Sequence, residues 1–408
     1  MAFGKGCHLH LIDGSAFIFR AYHALPPLTR KSDGLPVGAV SGFVNMLQRY
    51  VDGNNGADAA THVAVIFDKG SHTFRNDMYD LYKANRESMP EDLRPQIPLT
   101  RTATRAFNIA CEELEGFEAD DIIATLSHQA RDAGGRVTIL TSDKDMMQLV
   151  GDGVEMLDPM KNKRIDRDGV IEKFGVGPER VVDVQALAGD SVDNVPGAPG
   201  IGIKTAALLI NEYGDLETLL DRAGEIKQPK RRESLLENRA QIELSKRLVQ
   251  LDCDMTLPFT LNDLEVREPD PDVLMGFLAE MEFRTATKRI AEKLGIEAPV
   301  IEAAAPTTEV AAPAAVGFDP DAYECVSDAA ALQVWIDRIR ERGYVAVDTE
   351  TTGLNDMTAE LVGISLCVEP GQACYIPLIH KAAASDELFG SDDVAEGQMD
   401  LAQCLAML

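Results

Sequence analysis

The sequence has few of the residues that disulfide, zinc and membrane proteins depend on. Its 408 residues include seven cysteines and seven histidines, and the cysteines form neither a C-x-x-C pair nor a zinc-ligand spacing. No apolar run approaches the roughly 20 residues of a membrane span, and the charged and apolar parts of Met1–Leu11 are too short for a signal peptide. We therefore expect a cytoplasmic protein with free thiols and no membrane partner.

Basic residues are also outnumbered. The chain has 39 lysines and arginines against 67 acidic residues, so its net charge is −28 and it lacks the overall basic surface typical of nucleic-acid-binding proteins. Basic residues concentrate instead in two stretches, Arg75, Lys83, Arg86, Arg94, Arg101 and Arg105, and Lys227, Lys230, Arg231 and Arg232. Such patches can meet a polyanion where Mg²⁺ offsets an acidic centre, but solvated helix faces are the ordinary alternative.

The chain length and the pattern of apolar residues predict two or three domains. From His8 to about Gly175 strands alternate with amphipathic helices, which predicts a parallel central sheet. The predicted strands are Leu9–Ile12, Val63–Phe67, Val137–Leu140 and Val154–Leu157, and the predicted helices are Gly38–Val51, Leu99–Ala110, Asp121–Ala133 and Gly169–Phe174. Residues from Pro178 to about Gly295 have a helical pattern. The polar and basic stretch Lys69–Pro98 is too long for a routine connection, so we expect it to be functional.

Acidic residues stand where predicted buried strands end or helices begin. They are Asp13, Asp68, Glu118, Asp120, Asp121, Asp143, Asp145, Asp190 and Asp193. The carboxyl ends of buried parallel strands share one edge of a sheet, where ligand and catalytic groups gather. Carboxylates brought together there raise one another's pKa, a penalty that divalent cations remove, and oxygen ligands suit Mg²⁺ or Mn²⁺. The pattern predicts a two-metal phosphodiester hydrolase.

The same acids suggest a division between two ions. We expect one ion to be held by Asp13, Asp68, Glu118 and Asp120, the other by Asp143, Asp145 and Asp193, with Asp120 between them and Asp121 and Asp190 acting through water. Taken singly, these acids could have structural roles in place of metal binding. Glu118, Asp120 and Asp121 can complement a helix dipole, and Asp13 can cap a turn. The prediction therefore depends on the joint pattern and not on any one acid.

A glycine-rich segment, VPGAPGIGIKTA, precedes a predicted helix at Lys204–Glu212. Backbone N–H groups freed by Gly197, Gly200 and Gly202 can hold a phosphate or line a cation site, with Lys204 adding charge. An ordinary helix-start turn is the alternative. The segment resembles a helix–hairpin–helix element that grips duplex backbone without reading sequence, and this resemblance suggests a K⁺ ion at the turn.

Five stretches together resemble the 5′ nuclease domain of the bacterial DNA polymerase I family, in the flap endonuclease superfamily. They are IDGSAFIFRAYHALPPL, VIFDKGSHTFRNDMYDLYKANR, LEGFEADDIIATL, TILTSDKDMMQLV and LAGDSVDNVPGAPGIGIKTA. The resemblance runs from about His8 to Leu294 and implies a PIN-like α/β nuclease core, a helical arch at about 71–95 and a helix–hairpin–helix region. It also implies two Mg²⁺ or Mn²⁺ ions and a nucleoid-associated bacterial monomer.

By this resemblance the chain is a 5′–3′ exonuclease and flap endonuclease for primer removal and DNA repair. Its substrates are then branched or nicked duplex DNA with a 5′ flap, and RNA primers in RNA–DNA duplexes. The resemblance further implies that Arg75 and Lys83 contact the scissile phosphate, that Arg86 and Arg20 assist, and that Tyr82 stacks on a base. A non-catalytic branched-DNA-binding module and a PIN-type ribonuclease are the alternatives. The complete acidic set argues against the first, and the glycine-rich hairpin against the second.

A further motif, YVAVDTETTGL, resembles the first motif of a proofreading 3′–5′ exonuclease. A predicted strand, Tyr344–Val347, leads into this motif, and Leu361–Val368 is predicted as its partner strand. Asp348 and Glu350 are two positions apart in the extended chain, so they face the same side and are expected to be metal ligands. We find no further acidic motif and no polymerase domain before Leu408, and expect a partial α/β ribonuclease-H-like domain in a fragment of a longer polymerase. The predicted domains are 1–177, 178–297, a linker at 298–317, and 318–408.

Overall fold

The computed structural model describes residues 2–86, 88–159, 161–299, 323–353, 358–369, 371–381 and 395–408. These residues belong to two compact units, Met1–Pro306 and Thr307–Leu408. The predicted linker at 298–317 lies outside the described residues apart from its first two positions. Within the described ranges, no helix combines the length and the apolar character that crossing a bilayer requires.

The first unit is built on one sheet. Its strands are β1 His8–Asp13, β2 His62–Ile66, β3 Ala110–Glu112, β4 Arg136–Leu140, β5 Val154–Asp158 and β6 Lys163–Ile165. They lie in the order β3-β2-β1-β4-β5-β6; the first five are parallel and β6 runs antiparallel to β5. The predicted parallel sheet is confirmed. The three-residue strands β3 and β6 escaped prediction because they are too short to show a periodic pattern.

Helices cover both faces of this sheet. They are α1 Gly14–Ala24, α2 Gly38–Gly53, α3 Phe74–Met78, α4 Gln96–Ala106, α5 Ala119–Asp132, α6 Arg167–Phe174, α7 Val181–Ala188, α8 Ile203–Tyr213, α9 Leu216–Asp221, α10 Pro229–Glu237, α11 Arg239–Val249, α12 Pro271–Glu280 and α13 Arg284–Leu294. The helix predicted at Leu99–Ala110 corresponds to α4, which begins three residues earlier and ends four residues earlier. Pro98 is tolerated in the first turn, and Asn108 adopts a left-handed φ of 54° just beyond the helix.

Two apolar cores bind the later helices to the sheet. One continuous core joins Leu9 of β1 to Ile122 of α5 and Leu187 of α7, and the other joins Phe43 of α2 to Leu278 of α12. Residues 178–297, predicted as a separate helical region, therefore pack onto the same sheet that residues 8–165 build. The boundary at residue 177 stays a prediction.

The second unit has a smaller sheet. Its elements are β7 Glu324–Cys325, α14 Ala329–Arg342, β8 Ala346–Thr351, β9 Leu361–Glu369, β10 Gln372–Pro377 and α15 Leu401–Met407. The strand order is β7-β10-β9-β8, and Trp335, Leu366 and Ile376 lie in its core. The strand predicted at Tyr344–Val347 begins two residues later, and β8 is exposed along its whole length.

Candidate active site at the carboxyl edge of the sheet

Asp13 is the last residue of the central strand β1 and is held rigidly. Its Oδ1 accepts a hydrogen bond from the backbone N–H of Ala16 at 3.0 Å, as the N-cap of α1, and its Oδ2 accepts one from Thr141 Oγ1 at 2.8 Å. Thr141 Oγ1 also accepts from the backbone N–H of Asp143 at 3.0 Å. One hydroxyl thus joins the acids that follow β1 and β4.

Asp68 follows β2 and is tied to two other elements. Its Oδ2 accepts from Ser15 Oγ at 2.6 Å, and its Oδ1 accepts from the backbone N–H of Ala119, at the start of α5, at 2.9 Å. The loop after β2 is therefore anchored beside both β1 and the acidic start of α5. This is the convergence that the strand-end pattern predicted.

The acids interact strongly at this edge. Burial raises the pKa of Asp13 to about 6, and the charges of Asp68 and Asp143 add to the shift. Burial and the charge of Asp143 raise the pKa of Asp145 to about 7, and burial with Asp143 and Asp13 holds the pKa of Asp120 well above its usual range. The mutual repulsion expected from the sequence is present.

A cleft beside these acids is lined by five carboxylates. They belong to Glu118, Asp120, Asp145, Asp190 and Asp193. Basic side chains reach three of them: Lys83 Nζ lies 2.7 Å from Glu118, Arg86 Nη2 lies 2.5 Å from Asp193, and Lys144 Nζ lies 2.6 Å from Asp190. Over the described part of the chain, no three acidic, histidine or cysteine side chains form a ready metal-ion cage. The structure gathers the acids at one edge, and their division between two ions stays a prediction.

Arg75 is a buried residue at the lining of this cleft. Its side chain is 1% exposed and forms a bidentate pair with Asp121 at 2.7 and 2.8 Å. It also donates to the backbone carbonyls of Leu248 and Gln250. In this geometry the guanidinium is used within the protein, at the lining of the cleft, and the contact of Arg75 with the scissile phosphate stays a prediction.

Asp121 is likewise a structural residue. Its carboxylate is fully buried and accepts from Arg75, from the backbone N–H of Glu118 at 3.3 Å and from that of Asp252 at 3.0 Å. These partners saturate its oxygens, so Asp121 is not a direct metal ligand in this arrangement, and its action on the metal site through water stays a prediction. Its position in the first turn of α5 matches the helix-dipole alternative.

Tyr82 and Gly197 are also buried. Tyr82 is 4% exposed, lines the cleft, and its hydroxyl donates to Glu118 at 3.2 Å. Gly197 is buried: its N–H donates to Ser245 Oγ, its carbonyl accepts from Gln241, and an added Cβ would meet the backbone of Gly189 at 2.4 Å. Gly197 serves close backbone packing, and the DNA contacts of both residues stay predictions.

The other predicted DNA-contacting residues lie at the surface. Gly200 and Gly202 face open space where a Cβ would project, Gly200 has a φ of +75°, and both precede the exposed Lys204 on α8. Arg20 is exposed on α1 but lines a different groove, with Phe19 and Ser142. The structure does not bring Arg20 into the cleft of the five carboxylates.

Several residues that support the site were missed by sequence reasoning. They are Ser15, Asn85, Thr141, Lys144, Gln185 and Asn194. Thr141 and Lys144 carried a usable signal, since they flank the acids in LTSDKD. Gln185, which donates to Asp145 at 2.5 Å, lies on α7 forty residues along the chain and carried none.

Family comparisons agree with this geometry. Residues 8–175 match a family described as the 5′-3′ exonuclease N-terminal resolvase-like domain, and residues 176–272 match the 5′-3′ exonuclease C-terminal SAM fold. A 5′-3′ exonuclease of Aquifex aeolicus is 36% identical over 282 residues, which cover 69% of this chain and 94% of that protein. The chain belongs to the 5′-3′ exonuclease family. The predicted family and its nuclease class are confirmed.

A second family matches the later part of the chain. Residues 323–392 match a 3′-5′ exonuclease family. DNA polymerase I of Rhizobium leguminosarum is 46% identical over 471 residues, covering 99% of this chain and 46% of that protein, and that of Pseudomonas aeruginosa is 40% identical over 397 residues, covering 95% and 41%. The chain thus spans less than half the length of these relatives.

Solved structures share the fold of about 70% of the chain. A bacteriophage T5 protein co-crystallised with metal ions superposes with a TM-score of 0.51 at 19% identity, covering 71% of this chain and 98% of that chain. A T5 flap endonuclease in a pseudo-enzyme–product complex with DNA and metal ions gives 0.50 at 20% identity, covering 70% and 98%. The predicted mixed α/β fold around a parallel sheet is confirmed.

Proposed function

We propose that this chain hydrolyses phosphodiesters by two-metal-ion catalysis, both from 5′ ends and at the base of 5′ flaps. One observation carries the proposal: five carboxylates line a single cleft beside Asp13, Asp68 and Asp143 at the carboxyl edge of the sheet. Two basic side chains, Lys83 and Arg86, reach into the same cleft. Acids alone would repel a phosphodiester, so the pairing of acids with cations suits a site that binds both metal and phosphate.

The donor set fits divalent cations. Every candidate ligand is a carboxylate, which suits Mg²⁺ or Mn²⁺, and burial together with crowding disfavours the negative charge that a cation would neutralise. Two ions bound there would stabilise the attacking and leaving oxygens of the phosphodiester. The T5 relatives described with metal ions support this assignment.

The chain's own residues position the substrate in this proposal. Lys83 remains charged: burial opposes its charge, but Glu118, Asp193 and Asp120 outweigh burial and raise the pKa of Lys83 above its ordinary value. Arg86 is half exposed at the mouth of the cleft. Both can transfer from carboxylate to phosphate over a short distance.

Duplex binding is assigned to the surface around α8. Gly200 and Gly202 leave room for a phosphate beside their backbone N–H groups, and Lys204 adds positive charge. A K⁺ ion at this turn belongs to the same proposal. The proposed substrates are nicked or branched DNA with a 5′ flap, and RNA primers in RNA–DNA duplexes. The T5 complex with DNA supports the first of these. The proposed processes are primer removal and DNA repair.

The remaining assignments are part of the same proposal. We assign domains to residues 1–177, 178–297 and 318–408, with a linker at 298–317. We also assign a monomer in the bacterial cytoplasm, associated with the nucleoid. The seven free cysteines, all within the described residues, support a reducing compartment.

A labelled 5′-flap duplex tests the proposal directly. With Mg²⁺ the chain should release the flap near its junction, and with EDTA it should not. A blunt duplex with a labelled 5′ end should lose short 5′ products under the same conditions. Release of the flap in EDTA, or intact flaps at saturating enzyme with Mg²⁺, would contradict the proposal.

Replacing Lys83 should slow the chemical step more than DNA binding. We expect Lys83→Ala to reduce single-turnover flap cleavage by about a hundredfold, the usual effect of losing one preorganised charged contact at the reacting group. Lys83→Arg should retain part of the rate. Rates are measured at saturating DNA, and dissociation constants by fluorescence anisotropy with Ca²⁺.

Lys204→Ala is the matched control for this variant. It removes the same functional group from the surface around α8, so it should weaken duplex binding and leave the saturated rate nearly unchanged. If Lys83→Ala weakens binding as much as Lys204→Ala does and keeps the wild-type saturated rate, the role assigned to Lys83 is wrong.

The second unit should not trim 3′ ends. Asp348 and Glu350 lie on the exposed strand β8, and two carboxylates on one strand cannot supply the several directions of an Mg²⁺ shell. A duplex with a labelled 3′ end should stay intact with Mg²⁺, in the wild type and in Asp348→Ala alike. A metal-dependent 3′ trimming that Asp348→Ala removes would establish a working second site.

A further inference from the structure

Two short segments that both line the cleft are joined by hydrogen bonds to their backbones. We name residues 79–86 the arch base and residues 190–195 the acid loop. The backbone N–H of Lys83 donates to the carbonyl of Asp193 at 3.0 Å. Asn194 Nδ2 donates to the carbonyl of Leu81, and Asn85 Nδ2 donates to the carbonyl of Ser191, both at 2.7 Å. The two segments therefore form one hydrogen-bonded patch.

The backbone at this patch has a conformation that ordinary residues rarely adopt. Lys83 and Asn194 both have a φ of 56°, in the left-handed region that is uncommon outside glycine. The contacts between the segments hold these residues in place, since neither conformation is favoured locally. The acid loop is itself closed by reciprocal hydrogen bonds between Asp190 and Val195.

The side chains of the patch meet at one carboxylate. Asp193 Oδ1 lies 2.5 Å from Arg86 Nη2, and its Oδ2 lies 3.7 Å from Lys83 Nζ. Asp193 is at the same time one of the five acids that line the cleft. Its carboxylate cannot keep these two cationic partners and also bind a divalent cation, because the cation competes for the same oxygens and repels both basic groups.

We propose that the arch base is a latch on the acid loop, which a divalent cation releases by replacing Arg86 and Lys83 at Asp193. The inference rests on the proposed function, because it assigns Asp193 to the metal site. Release would turn both basic side chains from the acids toward the substrate phosphate. The arch base would then become available to bind DNA only after a divalent cation has bound in the cleft.

The coupling is reciprocal. If the cation loosens the latch, a weakened latch must tighten cation binding by the same factor. Arg86→Gln removes a competing charge, whereas Asn85→Ala removes only an uncharged tether to the acid loop. A common effect of both variants would separate a latch from simple charge repulsion, since only Arg86→Gln alters charge.

Calcium affinity of the full chain tests the first half of the proposal. We expect Arg86→Gln to bind Ca²⁺ about threefold to tenfold more tightly than wild type by isothermal titration calorimetry, and Asn85→Ala about twofold to fivefold more tightly. Arg167→Gln is the matched control, because it removes an arginine that pairs with Glu179 at the exposed surface. It should leave the affinity unchanged.

Amide exchange tests the second half. We expect Ca²⁺ to speed deuterium exchange in a peptide covering residues 79–86 at least about fivefold. The amide that reports release is that of Lys83, whose N–H donates to the carbonyl of Asp193 in this structure. Exchange in α2 should not change. The measurement needs no cleavage, so it is independent of catalytic rate.

The outcomes separate this proposal from the metal site itself. If Asp120→Asn binds Ca²⁺ as well as wild type, the metal assignment fails. If Ca²⁺ binding depends on Asp120 but Arg86→Gln and Asn85→Ala bind no more tightly, the latch is overturned and the nuclease proposal stands. Slower or unchanged exchange in residues 79–86 with Ca²⁺ also overturns the latch.

Discussion

Asp120→Asn should abolish flap cleavage and give a protein that is more stable to heat at high pH. We expect the Mg²⁺-dependent rate to fall at least about a thousandfold, since losing one carboxylate removes several kcal/mol of metal-mediated transition-state stabilisation. The residue lies at the start of α5, where burial and the charges of Asp143 and Asp13 act on it. Asparagine keeps the shape and removes the charge.

The same substitution should raise thermal stability at high pH. The pKa of Asp120 in the folded protein stands above its ordinary value of 3.8. Folding therefore becomes less favourable as the pH rises from 3.8 to the pKa of the folded state. Asparagine carries no such penalty. Without divalent cations we expect the melting temperature of the first unit to rise by about 2–4 °C at pH 8 and by little at pH 4.

Asp132→Asn is the control for this pair of measurements. Asp132 ends the same helix, α5, is 69% exposed and pairs with Arg131. Its replacement should change neither the rate nor the melting temperature at pH 8. An Asp120→Asn protein that cleaves at near the wild-type rate would remove the basis for the metal assignment.

Arg75→Ala should unfold the first unit at a much lower urea concentration. The substitution leaves the fully buried Asp121 without its bidentate partner and removes the donor to the carbonyls of Leu248 and Gln250. Removing one member of a buried ion pair costs about 3–5 kcal/mol, so the free energy of unfolding should fall by that amount. Circular dichroism follows the transition, and Trp335 fluorescence reports the second unit.

Arg167→Ala provides a comparison at equal geometry. Arg167 also makes a bidentate pair, at 2.8 Å to both oxygens of Glu179, but both side chains are more than half exposed. An exposed pair of this kind contributes about 1 kcal/mol or less. If Arg75→Ala is no less stable than Arg167→Ala but loses turnover, Arg75 acts on the substrate as the sequence first suggested.

The contrast between Arg75 and Lys83 shows where sequence reasoning succeeds. Both belong to one basic stretch, and the motif gave both the same role. In the structure Lys83 stays 22% exposed against Glu118, while Arg75 is buried under α11. Burial depends on residues more than 170 positions away, such as Leu248, and no local pattern in residues 71–95 contains them.

The acids were more predictable, for a physical reason. Parallel strands bring their carboxyl ends to one edge whatever lies between them, so Asp13, Asp68 and Asp143 had to meet once β1, β2 and β4 were recognised as neighbours. The exception, Asp121, follows Asp120 directly on α5. Adjacent helical positions face different directions, so one acid reaches the cleft and the other faces the buried Arg75.

The sequence by itself determined the family, the parallel sheet and the edge at which the acids gather, because these depend on strand periodicity and on motifs continuous along the chain. Tertiary structure alone decided that Arg75 and Tyr82 are buried, that Gly197 packs against Gly189, and that Lys83 and Arg86 meet Asp193. Those facts depend on contacts between segments far apart in the chain. Exposure and ion pairing are settled only when such segments pack together, and the same residue type takes a structural or a functional role accordingly.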